Sequence, residues 1–116
     1  MPRFVLLEHD HPIRHWDLML EVGPVLWTWR LDAIPILGVS CQASRVADHR
    51  LIYLDYEGSI GGNRGEVRRV ADGEFAWVED TPCRIVIRVR GASFSGAFTL
   101  ERGQGGEWTL NYCPKE

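Results

Sequence analysis

The sequence has little of several features that mark familiar protein classes. Its three cysteines, Cys41, Cys83 and Cys113, are widely spaced and form no CxxC pair. This argues against a disulfide framework or a structural zinc knuckle and favours buried or incidental thiols. No apolar run approaches the roughly 20 residues that span a bilayer, and the N-terminus lacks the pattern of a signal peptide. We therefore expect a soluble, cytoplasmic protein with no membrane partner.

The sequence also has no excess of basic residues. The formal net charge is -3, with 13 Lys and Arg against 16 Asp and Glu. This balance argues against a protein that coats nucleic acid through bulk positive charge, although it leaves room for a local basic patch. Lys115 is the only lysine. The planar arginine side chain suits phosphate recognition, but genome composition explains an arginine bias equally well.

Nowhere do apolar residues recur at helical spacing over ten or more residues. The sequence instead consists of short β-type segments separated by frequent turn signals. At 116 residues and 45% hydrophobic composition, the chain is long enough for one domain and too short for two of ordinary size. We expect a single domain over residues 1–116. The pattern predicts an all-β, mainly antiparallel fold, either a barrel or a sandwich.

Turn signals divide the chain into predicted strands. Gly23-Pro24 predicts a hairpin between its flanking strands, and Ala71-Asp72-Gly73 predicts a second hairpin with Asp-Gly at its tip. Residues 32–44 show little periodicity and are predicted to be a loop, and residues 59–65 are glycine-rich and the most flexible-looking segment. The predicted strands cover residues 4–7, 14–22, 25–31, 51–56, 66–70, 74–78, 84–90, 95–101 and 107–112.

The segment from Glu8 to Glu21 holds three of the four histidines and four carboxylates. From His15 onward it alternates, so that one face of a strand would be apolar and the other would carry imidazole and carboxylate groups. His9, His15 and Asp17 form His-x5-His-x-Asp, and such a donor set suits Mn2+, Fe2+ or Zn2+. Surface loops, however, also collect histidine and aspartate without binding a metal.

A second group of polar residues lies between Asp48 and Gly58. If this segment is extended, His49, Tyr53, Asp55 and Glu57 share one strand face. His49 could then donate a proton or bind an oxyanion, and Tyr53 could hold a phosphate oxygen. A half-buried strand with a hairpin cap explains the same residues without a function.

Taken together, these two segments resemble a known family. The strings EHDHPIRHWDLMLEVGPVLWTW and VADHRLIYLDYEGSIGGNRGEV, followed by ASFSGAFTLERG and EWTL, are similar in content and order to the 3'-phosphoesterase domain of DNA ligase D, an enzyme of bacterial and archaeal non-homologous end joining. The resemblance covers most of the chain. It implies a compact small β-barrel with a polar site on one side.

The resemblance also implies an activity and a set of site residues. The family activity is Mn2+-dependent, with Zn2+ as the other candidate metal, and removes a 3'-ribonucleoside or a 3'-phosphate from nucleic-acid ends. By position, His9, His15 and Asp17 look like the metal ligands, His49 like the histidine at the scissile phosphate and Tyr53 like the tyrosine nearby. Glu21 matches a glutamate at the end of the ligand strand, where it could support the ligands.

Several positions depart from the family pattern. Met19 stands where the family has arginine, Ala33 where it has lysine, Trp27 where lysine is common and Arg45 where histidine is common. Charged contacts of this kind are each worth about 1.5–3 kcal/mol when well placed, so their loss bears directly on activity. The candidates to replace them as phosphate contacts are Arg30, Arg45 and Arg64.

The sequence is compatible with three hypotheses of function. The first is a metal-dependent 3'-end-processing phosphoesterase, which would act on DNA or DNA with a 3'-ribonucleotide alongside a separate ligase or polymerase. The second is a non-catalytic module of the same fold that binds nucleic-acid ends or a repair partner. The third and weakest takes His15, Asp17 and His49 as the triad of a non-haem iron oxygenase.

Overall fold

The computed structural model describes residues 1–114, which form nine β-strands and one short 3-10 helix at Leu51–Leu54. Among these residues there is no helix long and apolar enough to cross a membrane. The strands are Arg3–His9 (β1), His15–Val22 (β2), Val25–Leu31 (β3), Cys41–Arg50 (β4), Gly58–Ser59 (β5), Glu66–Thr81 (β6), Arg84–Gly91 (β7), Ser95–Arg102 (β8) and Trp108–Cys113 (β9).

Eight of the strands close into a barrel. The order β1-β2-β3-β4-β9-β8-β7-β6 returns to its start because β1 pairs with β6 as well as with β2, and β5 pairs with β6. Every pairing between these strands is antiparallel. The expected all-β, mainly antiparallel fold and compact small β-barrel are confirmed.

Side chains on the two faces of the barrel wall form two separate apolar clusters. The interior contains large buried residues such as Phe4, Trp29, Phe75 and Phe98, and full burial of one such side chain stabilises the fold by about 1.5–3 kcal/mol. A smaller cluster lies on the outer face, and we call it the outer cluster. Its buried members are Val5, Leu7, Met19, Leu26, Leu54 and Val67.

The predicted hairpin at residues 71–73 is wrong, because β6 runs unbroken from Glu66 to Thr81. A Cβ at Gly73 would lie 2.3 Å from the Arg90 carbonyl oxygen and 2.9 Å from Cε1 of Phe4. The glycine therefore lets β1 and β7 approach the same strand closely. Tertiary packing, which a local pattern cannot show, overrides the turn preference of Asp72-Gly73.

Two further expectations are corrected by the structure. Leu51–Leu54, predicted to be part of a strand, is a 3-10 helix that buries Leu54, so His49, Tyr53, Asp55 and Glu57 do not share a strand face. Residues 41–44, predicted to lie in a loop, begin β4, because residues 41–43 pair with the distant strand β9 and Ser44 pairs with Arg30 on β3. Non-local partners decide both cases.

The three cysteines are free. Cys41 is buried, and burial raises the pKa of its thiol to about 11. Cys83 and Cys113 are exposed. The structure thus agrees with the prediction of unpaired thiols.

The substitution Gly73→Ala should lower the free energy of unfolding by about 1–3 kcal/mol, because overpacking forces the backbone apart. Gly105→Ala is the matched control. Its methyl group would meet chiefly the exposed carboxylate of Glu107, which can move, so the expected change is within about 0.5 kcal/mol. Urea denaturation measures both variants, and equal losses would contradict the role assigned to Gly73.

Candidate metal centre

Strand pairing brings together the three residues of the His-x5-His-x-Asp motif. His9 lies opposite His15 in the β1–β2 ladder, and Asp17 follows two positions further along the same face of β2. One donor atom from each residue lies within 4.8 Å of the other two. His15 and Asp17 are only 6% and 4% exposed. The cluster is therefore built into the barrel wall rather than carried on a surface loop.

Backbone carbonyls orient both histidine rings. His15 Nδ1 lies 2.8 Å from the Ile13 carbonyl oxygen, and His9 Nε2 lies 2.8 Å from the Arg64 carbonyl oxygen. A carbonyl only accepts hydrogen bonds, so these ring nitrogens donate. In the neutral rings, His15 Nε2 and His9 Nδ1 then carry the lone pairs. Hydrogen bonds of this kind fix the tautomer of histidines that bind metals.

The side chains of His15 and Asp17 face each other at the centre of the cluster. His15 Nε2 lies 3.5 Å from Asp17 Oδ2. Within the described chain, neither His15 Nε2 nor Asp17 Oδ1 has a hydrogen-bond partner, although both atoms are buried. An unpaired buried polar atom costs about 1–3 kcal/mol. Two imidazole nitrogens and one carboxylate fit a divalent first-row cation, and such a cation would satisfy both atoms.

The contact between the Arg64 carbonyl and His9 depends on a close approach of two loops. Asp10 Oδ1 accepts a hydrogen bond from the Glu66 amide at 2.9 Å. Gly65 has φ +81, and a Cβ there would lie 2.3 Å from Asp10 Oδ1 and 2.5 Å from Cβ of His11. Only glycine allows this approach. The glycine-rich segment is thus tied to the ligand turn.

Arg30 is the arginine beside the cluster. It lies opposite Asp17 in the β2–β3 ladder, and its Nε is 4.0 Å from Asp17 Oδ1. An open cleft of about 560 Å3 adjoins both His15 and Arg30. Its remaining lining residues are Pro12, Ile13, Arg14, Leu31, Asp32, Gln42, Ala43, Ser44 and Glu107.

The other two candidate phosphate contacts are directed elsewhere. The Arg45 guanidinium lies 5.0 Å and 4.5 Å from the ring centroids of Trp27 and Trp29, on the side of the wall that faces the barrel interior. The Arg64 guanidinium bonds to the carbonyl oxygens of Ile60 and Gly61 within its own loop. Neither side chain contacts the three donor residues.

Glu21 lies at the other end of β2. Its Oε1 accepts a hydrogen bond from the Arg3 amide at 2.8 Å. Four residues separate it from Asp17, which corresponds to about 13 Å along an extended strand. The structure therefore does not bring Glu21 into contact with the donor cluster, and the carboxylate instead ties β1 to β2.

His49 and Tyr53 lie side by side. Their ring centroids are 5.8 Å apart, and His49 Nδ1 donates to the Ala47 carbonyl at 2.9 Å. Tyr53 packs against the outer cluster. Within residues 1–114 no hydrogen bond or ion pair joins His49 to the three donor residues. The His49 and Tyr53 rings lie on the same outer face of the barrel as the outer cluster.

The 3-10 helix that carries Tyr53 is anchored by an ion pair. Arg3 Nη2 lies 2.7 Å from Asp55 Oδ1 and 3.4 Å from the Leu54 carbonyl oxygen. The hydrogen bond from Arg3 holds the pKa of the Asp55 carboxyl below its usual value. The same contact raises the pKa of the Arg3 guanidinium.

Met19 and Ala33, which stand where the family pattern has arginine and lysine, lie in different parts of the structure. Met19 is 1% exposed and belongs to the outer cluster, on the face that carries Asp17. Ala33 packs against the interior cluster, away from the donor residues. The substitution at position 19 therefore bears on the site more directly than the one at position 33.

Sequence reasoning missed the groups that orient the two histidines of the donor cluster. The carbonyls of Ile13 and Arg64 orient the histidines, and backbone groups leave no mark on residue type. Gly65 was the one available signal, because a glycine beside a ligand turn indicates a close approach. Its surroundings had been predicted only as flexible.

Fold and site together define a closed antiparallel β-barrel with a two-histidine, one-carboxylate cluster on its outer wall. A sequence model described as DNA Ligase D 3'-phosphoesterase domain matches residues 7–102, so the chain belongs to this family. Over 60 residues it is 38% identical to the multifunctional non-homologous end joining protein LigD of Pseudomonas aeruginosa. That alignment covers 50% of this chain and 7% of the length of the relative.

The substitution Arg3→Ala should raise the pKa of Asp55 towards the usual aspartate value, because its hydrogen-bond donor is lost. Since the pair holds the folded-state pKa below the unfolded one, it stabilises the fold above the unfolded pKa, and this contribution is lost as pH falls through the folded pKa. A carboxyl NMR titration measures the shift. Arg88→Ala, a change of an exposed arginine on β7, is the control, and an equal shift there would contradict the assignment.

Proposed function

We propose that the chain is a metal-dependent phosphoesterase that processes nucleic-acid 3' ends in non-homologous end joining. Hydrolysis that releases a 3'-ribonucleoside would leave a 3'-phosphate, and hydrolysis of a 3'-phosphate would release inorganic phosphate and leave a 3'-hydroxyl that a ligase or polymerase can use. Membership of the 3'-phosphoesterase family supports the reaction class. The pair of buried, unpartnered acceptors, His15 Nε2 and Asp17 Oδ1, is the observation on which the metal dependence rests.

His9, His15 and Asp17 would hold the cation, with Mn2+ as the first candidate and Zn2+ as the second. Once bound, a divalent cation polarises a phosphoryl oxygen and lowers the pKa of a bound water. Asp17 contributes the negative charge of the donor set. The Ile13 and Arg64 carbonyls keep the two imidazoles oriented, and the burial of His15 and Asp17 limits access of bulk water to them.

His49 and Tyr53 are the proposed partners for proton transfer and phosphate contact. Since His49 Nδ1 donates to the Ala47 carbonyl, Nε2 is the atom that would hold or release a proton. Tyr53 packs beside it and offers a hydroxyl group to a phosphate oxygen. General acid–base assistance of this kind contributes about 10^2–10^4-fold to a rate.

Calorimetric titration with Mn2+ tests the metal centre. His15→Asn and Asp17→Asn should each weaken Mn2+ binding by more than about 100-fold, since even residues that only support a ligand contribute about 10–100-fold. His11→Asn is the matched control, because His11 is an exposed histidine of the adjacent turn and should leave affinity unchanged. Binding that survives in both ligand variants would refute the proposed centre.

Primer-templates ending in a 3'-ribonucleotide or a 3'-phosphate test the reaction. With Mn2+ present, the parent chain should convert the 3'-ribonucleotide end to a 3'-phosphate and the 3'-phosphate end to a 3'-hydroxyl, and Asp17→Asn should yield neither product. His49→Ala should slow the rate by about 10^2-fold or more if it transfers a proton. Products resolved on a denaturing gel give the result, with His11→Asn as the active control.

A second candidate function is a non-catalytic module that binds nucleic-acid ends or a repair partner. The burial of Met19 in the outer cluster favours it, because a charged phosphate-binding group expected from the family is missing there. The same primer assay separates the two functions. A parent chain that binds Mn2+ and the 3' end but leaves the primer intact would support the module and contradict the enzyme.

A further inference from the structure

The missing arginine at position 19 raises the question of which group balances the charge of a phosphate at this site. Met19 lies opposite Thr28 in the β2–β3 ladder, and the next pair on the same face is Asp17 with Arg30. Positions 19 and 30 are therefore diagonal neighbours on adjacent strands. An arginine on β3 thus reaches the region that an arginine on β2 would otherwise serve.

Arg30 is also free to bind a ligand. Its side chain is 49% exposed, and its closest approach to Asp17 is 4.0 Å, which is too long for a hydrogen bond. Among the described residues, its guanidinium has no hydrogen-bond acceptor. Arg45 and Arg64, in contrast, are held by aromatic rings and loop carbonyls.

The cleft beside Arg30 has the size and chemistry for the end of a nucleic-acid strand. Its volume of about 560 Å3 falls within the range of about 300–1,000 Å3 found for small-ligand sites. His15, Arg14 and Arg30 line the cleft together with the carboxylate residues Asp32 and Glu107. A phosphate at the donor cluster would therefore lie within reach of a guanidinium.

We infer that Arg30 binds the terminal phosphate of a nucleic-acid 3' end in this cleft and so takes over the role of the arginine that position 19 lacks. This inference rests on the proposed function. The guanidinium fork matches two phosphate oxygens at once. Its positive charge also offsets the buried Asp17 carboxylate, which would otherwise repel the phosphate. Arg30 thereby selects ends that carry a phosphate over ends that carry only a hydroxyl.

Fluorescence anisotropy with the Mn2+-loaded chain tests this selection. The two probes are the same labelled oligonucleotide ending in a 3'-hydroxyl or in a non-hydrolysable 3'-methylenephosphonate. The parent chain should prefer the phosphonate, and Arg30→Ala should reduce that preference by about tenfold or more, as expected for a charge-assisted contact. Arg30→Lys should lose part of it, because charge remains and the fork is lost. Arg88→Ala is the matched control and should keep the full preference.

Mn2+ affinity provides the readout that separates binding from structural damage. Removing a positive charge near Asp17 should leave Mn2+ affinity equal or higher in Arg30→Ala, whereas disruption of the wall would lower it. A phosphonate preference that Arg30→Ala retains would overturn the inference, as would a loss of Mn2+ affinity in that variant. A parent chain that binds no Mn2+ would refute the proposed function and, with it, this inference.

Discussion

The candidate site depends on two buried side chains, the His15 imidazole and the Asp17 carboxylate, that are held face to face. His15 Nε2 and Asp17 Oδ2 are 3.5 Å apart in the wall of the barrel, and the carbonyl of Ile13 keeps the ring proton on the opposite side of the imidazole. Such an arrangement is unfavourable for folding. The packing of the interior fixes the β1–β2 register and so maintains it, which is the usual relation between a stable scaffold and a strained functional site.

The two faces of β1 and β2 have different roles. On β1 and β2, residues such as Phe4, Leu6, Leu18 and Leu20 fill the interior, while the alternate residues form the donor cluster and the outer cluster. Donor atoms mounted on paired strands keep their mutual distances better than donor atoms on loops. The loop that contains Arg64 then adds a single carbonyl to this rigid frame.

Local patterns were sufficient for the donor cluster but not for its surroundings. The alternation from His15 to Glu21 is visible in the sequence because a strand has a period of two, and it predicts β2 and the face that carries His15 and Asp17. The continuity of β6 at Gly73 and the 3-10 helix at Leu51–Leu54 depend on packing against distant strands. The same holds for the arginines, since the register of β3 and β4 decides that Arg30, and not Arg45, lies on the face of Asp17.

The pairing of β1 with β6, which closes the barrel, affects the order in which the strands can pair during folding. It pairs residue 3 with residue 74 and residue 9 with residue 67, whereas β1, β2 and β3 are joined by short connections. Pairings between distant residues form slowly, because the entropy of closing a long loop is lost before contacts compensate. We therefore expect the β1–β2 hairpin, which brings His9 opposite His15, to form early. The Arg64 carbonyl reaches His9 only when β1 pairs with β6. The fully oriented donor cluster therefore forms together with the closed barrel.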